Sequence, residues 1–390
     1  MVLISDRVNQ FGSEPAKTAR KIRDYLIILA LLALLLLAIL RQTAYKPPSG
    51  EKAFSLTVRV LFENREGKKV WNLAEDERTI GLFMNNSWQE VYLARTSHSI
   101  ERIKKDPDGN TVAVLNFTRE LIGPGEKMGY NITYVLVFKE RRAPNISEGM
   151  AGKINDIPEW IRREYCQPTG LWQSNVSELV EKALEIAGNE TNVLKIVKEF
   201  VKWIAREIKY ETSELPRYPL ETFLSGRGDC DDQANLLITF CRAVGIPAYL
   251  QVGCIYIQGW SSSKSYYTGR LIFRQISVGW HGWAMVFIPP WGWLPVDLTY
   301  VEADLEREPL KSIFSSAVLK HYAFQYMNIT RTDYAAEARS LKDFLESHEF
   351  YIYEEDEMEE KKLSEGLYPS IGVPSIVLPK FYTKIPTKRR

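Results

Sequence analysis

The sequence predicts an α+β fold preceded by a single membrane-crossing helix, and three observations carry that prediction. One unbroken apolar run, "LIILALLALLLLAIL" at 26–40, stands near the N-terminus. Residues 53–140 then alternate apolar and polar side chains with the period of strands. From 148 the spacing becomes helical, and after 248 it returns to strands.

The N-terminal segment comes first. A bilayer span needs about 17–25 residues. Ile22 and Tyr25 extend the apolar run, and Arg23 and Arg41 can snorkel to the headgroups. A cleaved signal peptide is the rival, but "RQTAYK" after the run is a poor small-x-small cleavage site. The reading is therefore a tail over 1–24 and an uncleaved anchor over 25–41. Arg7, Lys17, Arg20, Lys21 and Arg23 precede the run, against Arg41, Lys46 and Lys52 after it. That bias puts the N-terminus in the cytoplasm. Seven Asn-x-Ser/Thr sequons all follow the run: Asn85, Asn116, Asn131, Asn145, Asn175, Asn189 and Asn328. Random order of this composition would give about two, so the body is expected outside the cell and glycosylated.

Composition excludes other classes. Among 390 residues, 45% are hydrophobic and 25% charged, which is globular rather than disordered. A formal charge of +1 offers no field to steer nucleic acid, so no nucleic-acid partner is expected. Glu354-Glu355-Asp356-Glu357 and Lys388-Arg389-Arg390 read as solvated surface or tail.

After a "YKPPSGEK" linker, residues 53–142 read as a β-sandwich of about six strands, with a hairpin turn at Asp106–Asn110. Residues 148–305 form a second domain. "VSELVEKALEIAG" and "NVLKIVKEFVKWIAREIKY" have helical spacing, with Gly188 as a C-cap. Residues 230–244 are apolar almost all round, as in a buried helix. Strands follow at 248–257, 281–288 and 293–299, and "QGWSSSKSYYTGR" reads as a loop or hairpin tip. Residues 306–390 read as an α/β extension, with a helix over "TDYAAEARSLKDFLES" and an edge strand over "SIVLPKFYTKIP".

"GRGDCDDQANLLITF" places Cys230 in the first turn of the buried helix, with Asp229 at the N-cap. Helix-end N–H groups favour a thiolate and can donate to an adjacent oxyanion. Asp229, Asp231 and Asp232 oppose the thiolate, so the sulfur needs a neighbour that can become cationic. Of the four histidines His98, His281, His321 and His348, His281 is the candidate. It shares a strand face with Trp283, Met285 and Phe287, where a lone polar side chain needs a partner. Asp297, on the next strand, can accept the imidazole N–H and hold the ring.

These phrases, "GRGDCDDQANLLITFCRAVGIPAY", "HGWAMVFIPPWGWLPVDLT" and the preceding "KEFVKWIAREIKY", resemble the transglutaminase-like superfamily over about residues 195–300. The resemblance implies a papain-like core, acyl transfer through a thioester, and a triad of Cys230 as nucleophile, His281 as base and Asp297 as orienting residue. It also implies that an Ig-like sandwich can sit beside the core, consistent with 53–142. It supplies no second oxyanion donor. The substrate is then a protein or peptide amide, with hydrolysis slightly ahead of amine transfer, and no cofactor is expected. A catalytically silent surface scaffold is the competing function.

Smaller readings accompany these. Cys241 and Cys254 read as packing residues, with a disulfide between them as the alternative, and Cys166 as structural or unpaired. With no C-x-x-C pair, no structural zinc site is expected. The three aspartates match no EF-hand pattern and read as helix caps and salt-bridge partners rather than calcium ligands. Trp283, Trp291 and Trp293 read as sheet packing, and Tyr266 and Tyr267 as exposed loop tyrosines, with a substrate lip as the alternative.

Overall fold

Apolar residues at every second position make "KAFSLTVRVLFEN" a strand, β1 (Lys52–Asn64), with Phe54, Leu56 and Val60 turned inward. The structure is a computed structural model and describes residues 52–362. The predicted tail, the anchor at 25–41 and the "SIVLPKFYTKIP" strand lie outside the described residues. No helix among the described residues is long and apolar enough to cross a membrane.

Seven more strands complete the N-terminal region: β2 (Trp71–Asn72), β3 (Thr79–Gly81), β4 (Gln89–Thr96), β5 (Ile100–Lys105), β6 (Thr111–Leu115), β7 (Leu121–Ile122) and β8 (Lys127–Phe138). The predicted turn closes the β5–β6 hairpin. Asp106 and Asn110 bond across it at 3.0 Å, and Gly109 takes a φ of 85° that a side chain would resist. The β3–β6–β5 sheet and the β4–β8–β1 strands share one apolar core, which includes Phe54, Ile80, Leu115 and Leu136.

The helical region has α1 (Glu159–Tyr165), α2 (Ser177–Ala187), α3 (Val193–Glu207) and, after the short β9 (Lys209–Tyr210), α4 (Pro219–Ser225). Gly188 ends α2 with a φ of 55°, as its position predicts, and the Asn192 side chain caps α3. β10 (Arg227–Gly228) pairs with β9 and leads into α5 (Cys230–Ala243). Every residue of α5 from Asp232 to Arg242 is buried, so this helix is the centre of the second core. It packs against the long hairpin β11 (Ala248–Tyr266) and β12 (Leu271–Ile288), followed by β13 (Gly292–Val296). The serine-rich segment is therefore the hairpin tip of the two expected readings, with its serines in strand rather than loop. It continues both arms past a register shift between Tyr256 and Ser261 and turns at Tyr267–Gly269.

The C-terminal region adds α6 (Lys311–Phe314), α7 (Ala317–Lys320), β14 (Ala323–Ile329), α8 (Tyr334–Glu346) and β15 (Phe350–Lys361). The helix over "TDYAAEARSLKDFLES" is present as α8. Strand β15 redraws the domain boundaries. It pairs antiparallel with β1 and parallel with β12, giving one sheet of order β14-β11-β12-β15-β1-β8-β4, with β13 beside β12. The sandwich expected as a separate 53–142 domain thus shares its main sheet with the core expected at 148–305. The supposed 306–390 extension supplies the joining strand.

The acidic run expected to be solvated surface is part of β15. Glu355 and Glu357 point outward and pair with Arg59, while Glu354 and Asp356 point inward among Phe350, Ile352 and Met358. Burial, then the charge of Asp356, pushes Glu354 up to about 8. A carboxyl raised in the folded state contributes stability that is complete below its ordinary range and is lost as pH rises through about 8. Glu354→Gln is expected to melt with the wild type at pH 4 and above it at pH 8.5. Equal melting temperatures at both pH values would contradict the inward carboxyl.

Candidate active site

Cys230 opens α5 because the chain turns sharply beneath it. A Cβ at Gly228 would lie 2.7 Å from the Asp232 Cβ and 3.0 Å from the Thr222 Cγ2, so only glycine fits the approach. A Cβ at Gly282 would lie 3.2 Å from the Asp231 Cβ, so the missing side chain lets the helix end sit against β12. As first residue of the helix, Cys230 has a backbone N–H with no intrahelical acceptor.

The three residues expected to act together do meet. The His281 Nε2 lies 3.0 Å from the Asp297 Oδ2, with the two side chains 6% and 1% exposed. Cys230 and His281 influence each other's titration, the ring drawing the thiol down and the sulfur raising the ring, while the thiol donates to the Asp231 Oδ1 at 3.9 Å. Asp297 stands just beyond β13, and the rest of its carboxylate is also satisfied. Thr299 and Tyr300 donate to Oδ1 at 3.2 and 3.1 Å, and the Ala317 N–H donates to Oδ2 at 2.9 Å. One of these donors belongs to α7, so the C-terminal region finishes the site.

The electrostatics differ from the sequence expectation in one respect. Burial lowers the His281 imidazole, but the Asp297 charge, its hydrogen bond and the Cys230 sulfur outweigh it and raise the ring to about 10. Asp297 is held below its ordinary range despite burial, by the His281 charge and these hydrogen bonds. Burial raises the Cys230 thiol. His281 draws it down, while Asp231 and Asp229 push it up. The net direction is upward, so the helix end and imidazolium do not by themselves yield the low-pKa thiolate that the motif suggested.

The three aspartates have separate partners. Asp232 accepts from the Arg217 N–H at 2.8 Å, pairs with the Arg217 Nη1 at 3.0 Å and takes the Asp229 N–H at 3.3 Å. Asp231 accepts from the Tyr334 hydroxyl at 2.6 Å. That hydroxyl is held in turn by Asn235 at 2.6 Å, and Asn235 by the Trp172 indole at 3.1 Å. Asp229 has a buried oxygen without a partner, and burial followed by the Asp231 charge raises it to about 9. Capping and salt bridging therefore account for Asp232. Asp229, Cys230 and Asp231 also place donor atoms within 4.8 Å of one another, so a soft divalent ion that bound there would occupy the nucleophile.

Sequence reasoning missed Tyr210. Strand pairing of β9 with β10 brings it beside Cys230, and both line one cavity. Its hydroxyl has no hydrogen-bond partner, the side chain is 60% exposed, and burial together with the Cys230 and aspartate charges raises it to about 12. An O–H so placed is a suitable second oxyanion donor beside the Cys230 N–H. The "IKY" phrase was the signal, but its pairing partner was not legible.

Other expectations resolve simply. All four cysteines are free, and Cys241 and Cys254 are buried in different cores, so they form no disulfide. Trp283 is buried beside Tyr249 and Met285, and Trp293 packs edge-to-face with Phe287, Tyr249 and Tyr165. Tyr266 and Tyr267 line the cavity that holds Cys230.

Residues 181–298 match the family model of the transglutaminase-like superfamily. This transglutaminase-like region contains Cys230, His281 and Asp297 and leaves α1, the N-terminal strands and everything after 298 outside it. No curated protein matches the chain. Solved structures similar to it include a candidate cysteine protease from Cytophaga hutchinsonii, 15% identical, with TM-score 0.44 over 80% of this chain and 90% of that one. Another is a candidate protease from Parabacteroides distasonis, 10% identical, with TM-score 0.22 over 54% and 58% of the two chains. Likenesses at this level carry no argument about activity.

Proposed function

We propose that the protein is a thiol enzyme that cleaves peptide or side-chain amides through a thioester on Cys230, with water as acyl acceptor. The observation that carries this is the grouping of half-buried Cys230 at the start of α5 with the buried His281–Asp297 pair. In the first half, the Cys230 thiolate, whose share grows on the alkaline side, attacks the amide carbon and an oxyanion forms against the Cys230 N–H and the Tyr210 hydroxyl. The His281 imidazolium gives its proton to the nitrogen, the C–N bond breaks and the amine leaves. In the second half, neutral His281 takes a proton from water, the hydroxide adds to the thioester, the C–S bond breaks and the acid leaves. The thiolate and imidazolium are restored.

Alkylation tests the ion pair. The rate of Cys230 modification by iodoacetamide should rise on the alkaline side, because burial and the aspartates hold the thiol up. In His281→Ala its midpoint should move higher still, because His281 is what draws the thiol down. Cys166, raised to about 11 by burial, is the internal reference. An unchanged midpoint in His281→Ala would separate the two residues and favour a silent surface scaffold.

We also propose that residues 25–41 anchor the body to the outer side of a membrane. The sequon asparagines Asn116, Asn131, Asn145, Asn175 and Asn189 are exposed, which supports access to a glycosyltransferase. Asn85 and Asn328 are half-buried, and their amide oxygens accept from Val91 and Gln251. The native protein is expected to resist carbonate extraction and to carry glycans at up to five sites by mass mapping. Release by carbonate with no glycan mass would refute the location.

A further inference from the structure

The chain leaving β8 turns one arginine into the protein. Arg141 is 9% exposed, and its guanidinium lies over the rings of Phe138 and Trp88, 4.7 and 5.5 Å from their centroids. Among the described residues no carboxylate pairs with it. Burial lowers it only to about 9, so it stays charged at neutral pH. A buried cation without a counter-ion is costly, and an apolar side chain would fill the space without that cost.

Its donors go to three backbone carbonyls from separate parts of the chain. Nη1 donates to Val318 in α7. Nη2 donates to Ala323, at the start of β14, at 2.7 Å, and to Trp88, just before β4, at 3.4 Å. A planar guanidinium fixes the spacing of the groups it bonds, which a lysine ammonium on a flexible stem does not. Arg141 thereby ties Val318 and Ala323 to the N-terminal strands.

Helix α7 depends on such a tie. Its four residues, Ala317–Lys320, are too few to hold a helix by themselves. Its first N–H, from Ala317, donates to the Asp297 Oδ2 at 2.9 Å. That same oxygen lies 3.0 Å from the His281 Nε2. The carbonyl held by Arg141 belongs to the next residue, and both Ala317 and Val318 are fully buried, so a shift at one is felt at the other.

We propose that Arg141 is a positioning residue for the His281–Asp297 pair, acting through α7 and the Ala317 N–H. Without it Asp297 loses one of its fixed donors and moves from His281, and its attraction for the imidazolium falls with distance. Arg141, Ala317 and Val318 all lie outside the family-matched residues 181–298, so the site depends on chain on both sides of that region. The consequence for turnover rests on the thiol-enzyme reading. The coupling to His281 does not.

NMR titration of the four histidines in the full-length protein tests the coupling, with His281→Ala identifying the resonance. The wild-type ring should titrate near 10. It should titrate lower in Arg141→Met and in Arg141→Lys. Turnover by these variants should show kcat down by up to about 100-fold, the scale of a misplaced catalytic group, with KM held because Arg141 does not line the Cys230 cavity. Ala317→Pro removes the N–H alone. Proline suits the first turn of a helix, and Ser316 before it has φ -54° and ψ 146°, which a residue preceding proline can keep. This variant should lower the ring as Arg141→Met does, and the double variant should go no lower than the singles. A role confined to stability would lower the melting temperature and leave the His281 titration in place. A folded Arg141→Met or Arg141→Lys whose His281 titrates as in the wild type overturns the proposal. So does an unmoved ring in Ala317→Pro, or a shift that adds to it in the double variant. Where Arg141→Met does not fold, Arg141→Lys, which keeps the buried charge, gives the same comparison. Amide cleavage with an unmoved His281 removes the role of Arg141 and leaves the thiol enzyme. A lowered His281 in a protein that cleaves no amide does the reverse.

Discussion

Asp297→Ala is expected to lower kcat by about ten-thousand-fold, the scale seen when the orienting member of a catalytic triad is removed. The reason is electrostatic as well as geometric. Asp297 holds the His281 Nε2 at 3.0 Å and is the largest influence raising the ring against burial. Without it the imidazole loses both its orientation and the charge that stabilises the imidazolium. The substitution also leaves the Thr299, Tyr300 and Ala317 N–H groups unpaired, at about 1–3 kcal/mol per buried group. Melting curves must therefore accompany the kinetics. Asp297→Asn separates the two effects. It keeps an acceptor for Nε2 but removes the charge, so His281 titrates lower and the alkaline limb of the pH–rate profile moves to lower pH. An Asp297→Ala enzyme within tenfold of the wild type would exclude Asp297 from the site.

Tyr210→Phe is expected to lower kcat by about 10²–10³-fold, the cost of one lost oxyanion donor. KM should stay nearly constant, because the interaction forms only as charge develops on the carbonyl oxygen. Folding should not change, since the side chain is 60% exposed and its hydroxyl bonds to nothing in the resting protein. That combination distinguishes a reacting group from a structural one. Unchanged kcat would mean that the Cys230 N–H works without this partner.

The grouping of Cys230, His281 and Asp297 was legible in the sequence because its signals are local. Gly228, Asp229 and Cys230 mark a helix start, and His281 and Asp297 flank a short hairpin whose register differs little from the minimum. Their partners were less legible. Arg217, Tyr334 and Ala317 carry no pattern of their own, and they reach Asp232, Asp231 and Asp297 only because α7 and α8 return to the core. The longest misreading was "YEEDEMEE". Its charge masked a period-two strand, because Arg59 and Arg274 pair with the outward Glu355 and Glu357 while Glu354 faces a cavity and Asp356 accepts from the Trp280 indole.

By itself the sequence determined the types of the apolar-periodic elements, the buried helix, and a thiol, an imidazole and a carboxylate in an order that one hairpin can bring together. Periodicity, turn residues and helix caps act within a few residues, so they survive in a linear reading. Only the tertiary structure decided that the N-terminal strands and the core share one sheet, and that β15 joins them. It alone also set Tyr210 beside the sulfur and placed Glu354 against an aromatic cavity. Pairing of strands about 300 positions apart leaves no local mark, because it depends on which edges and faces are left to be covered once everything else has folded.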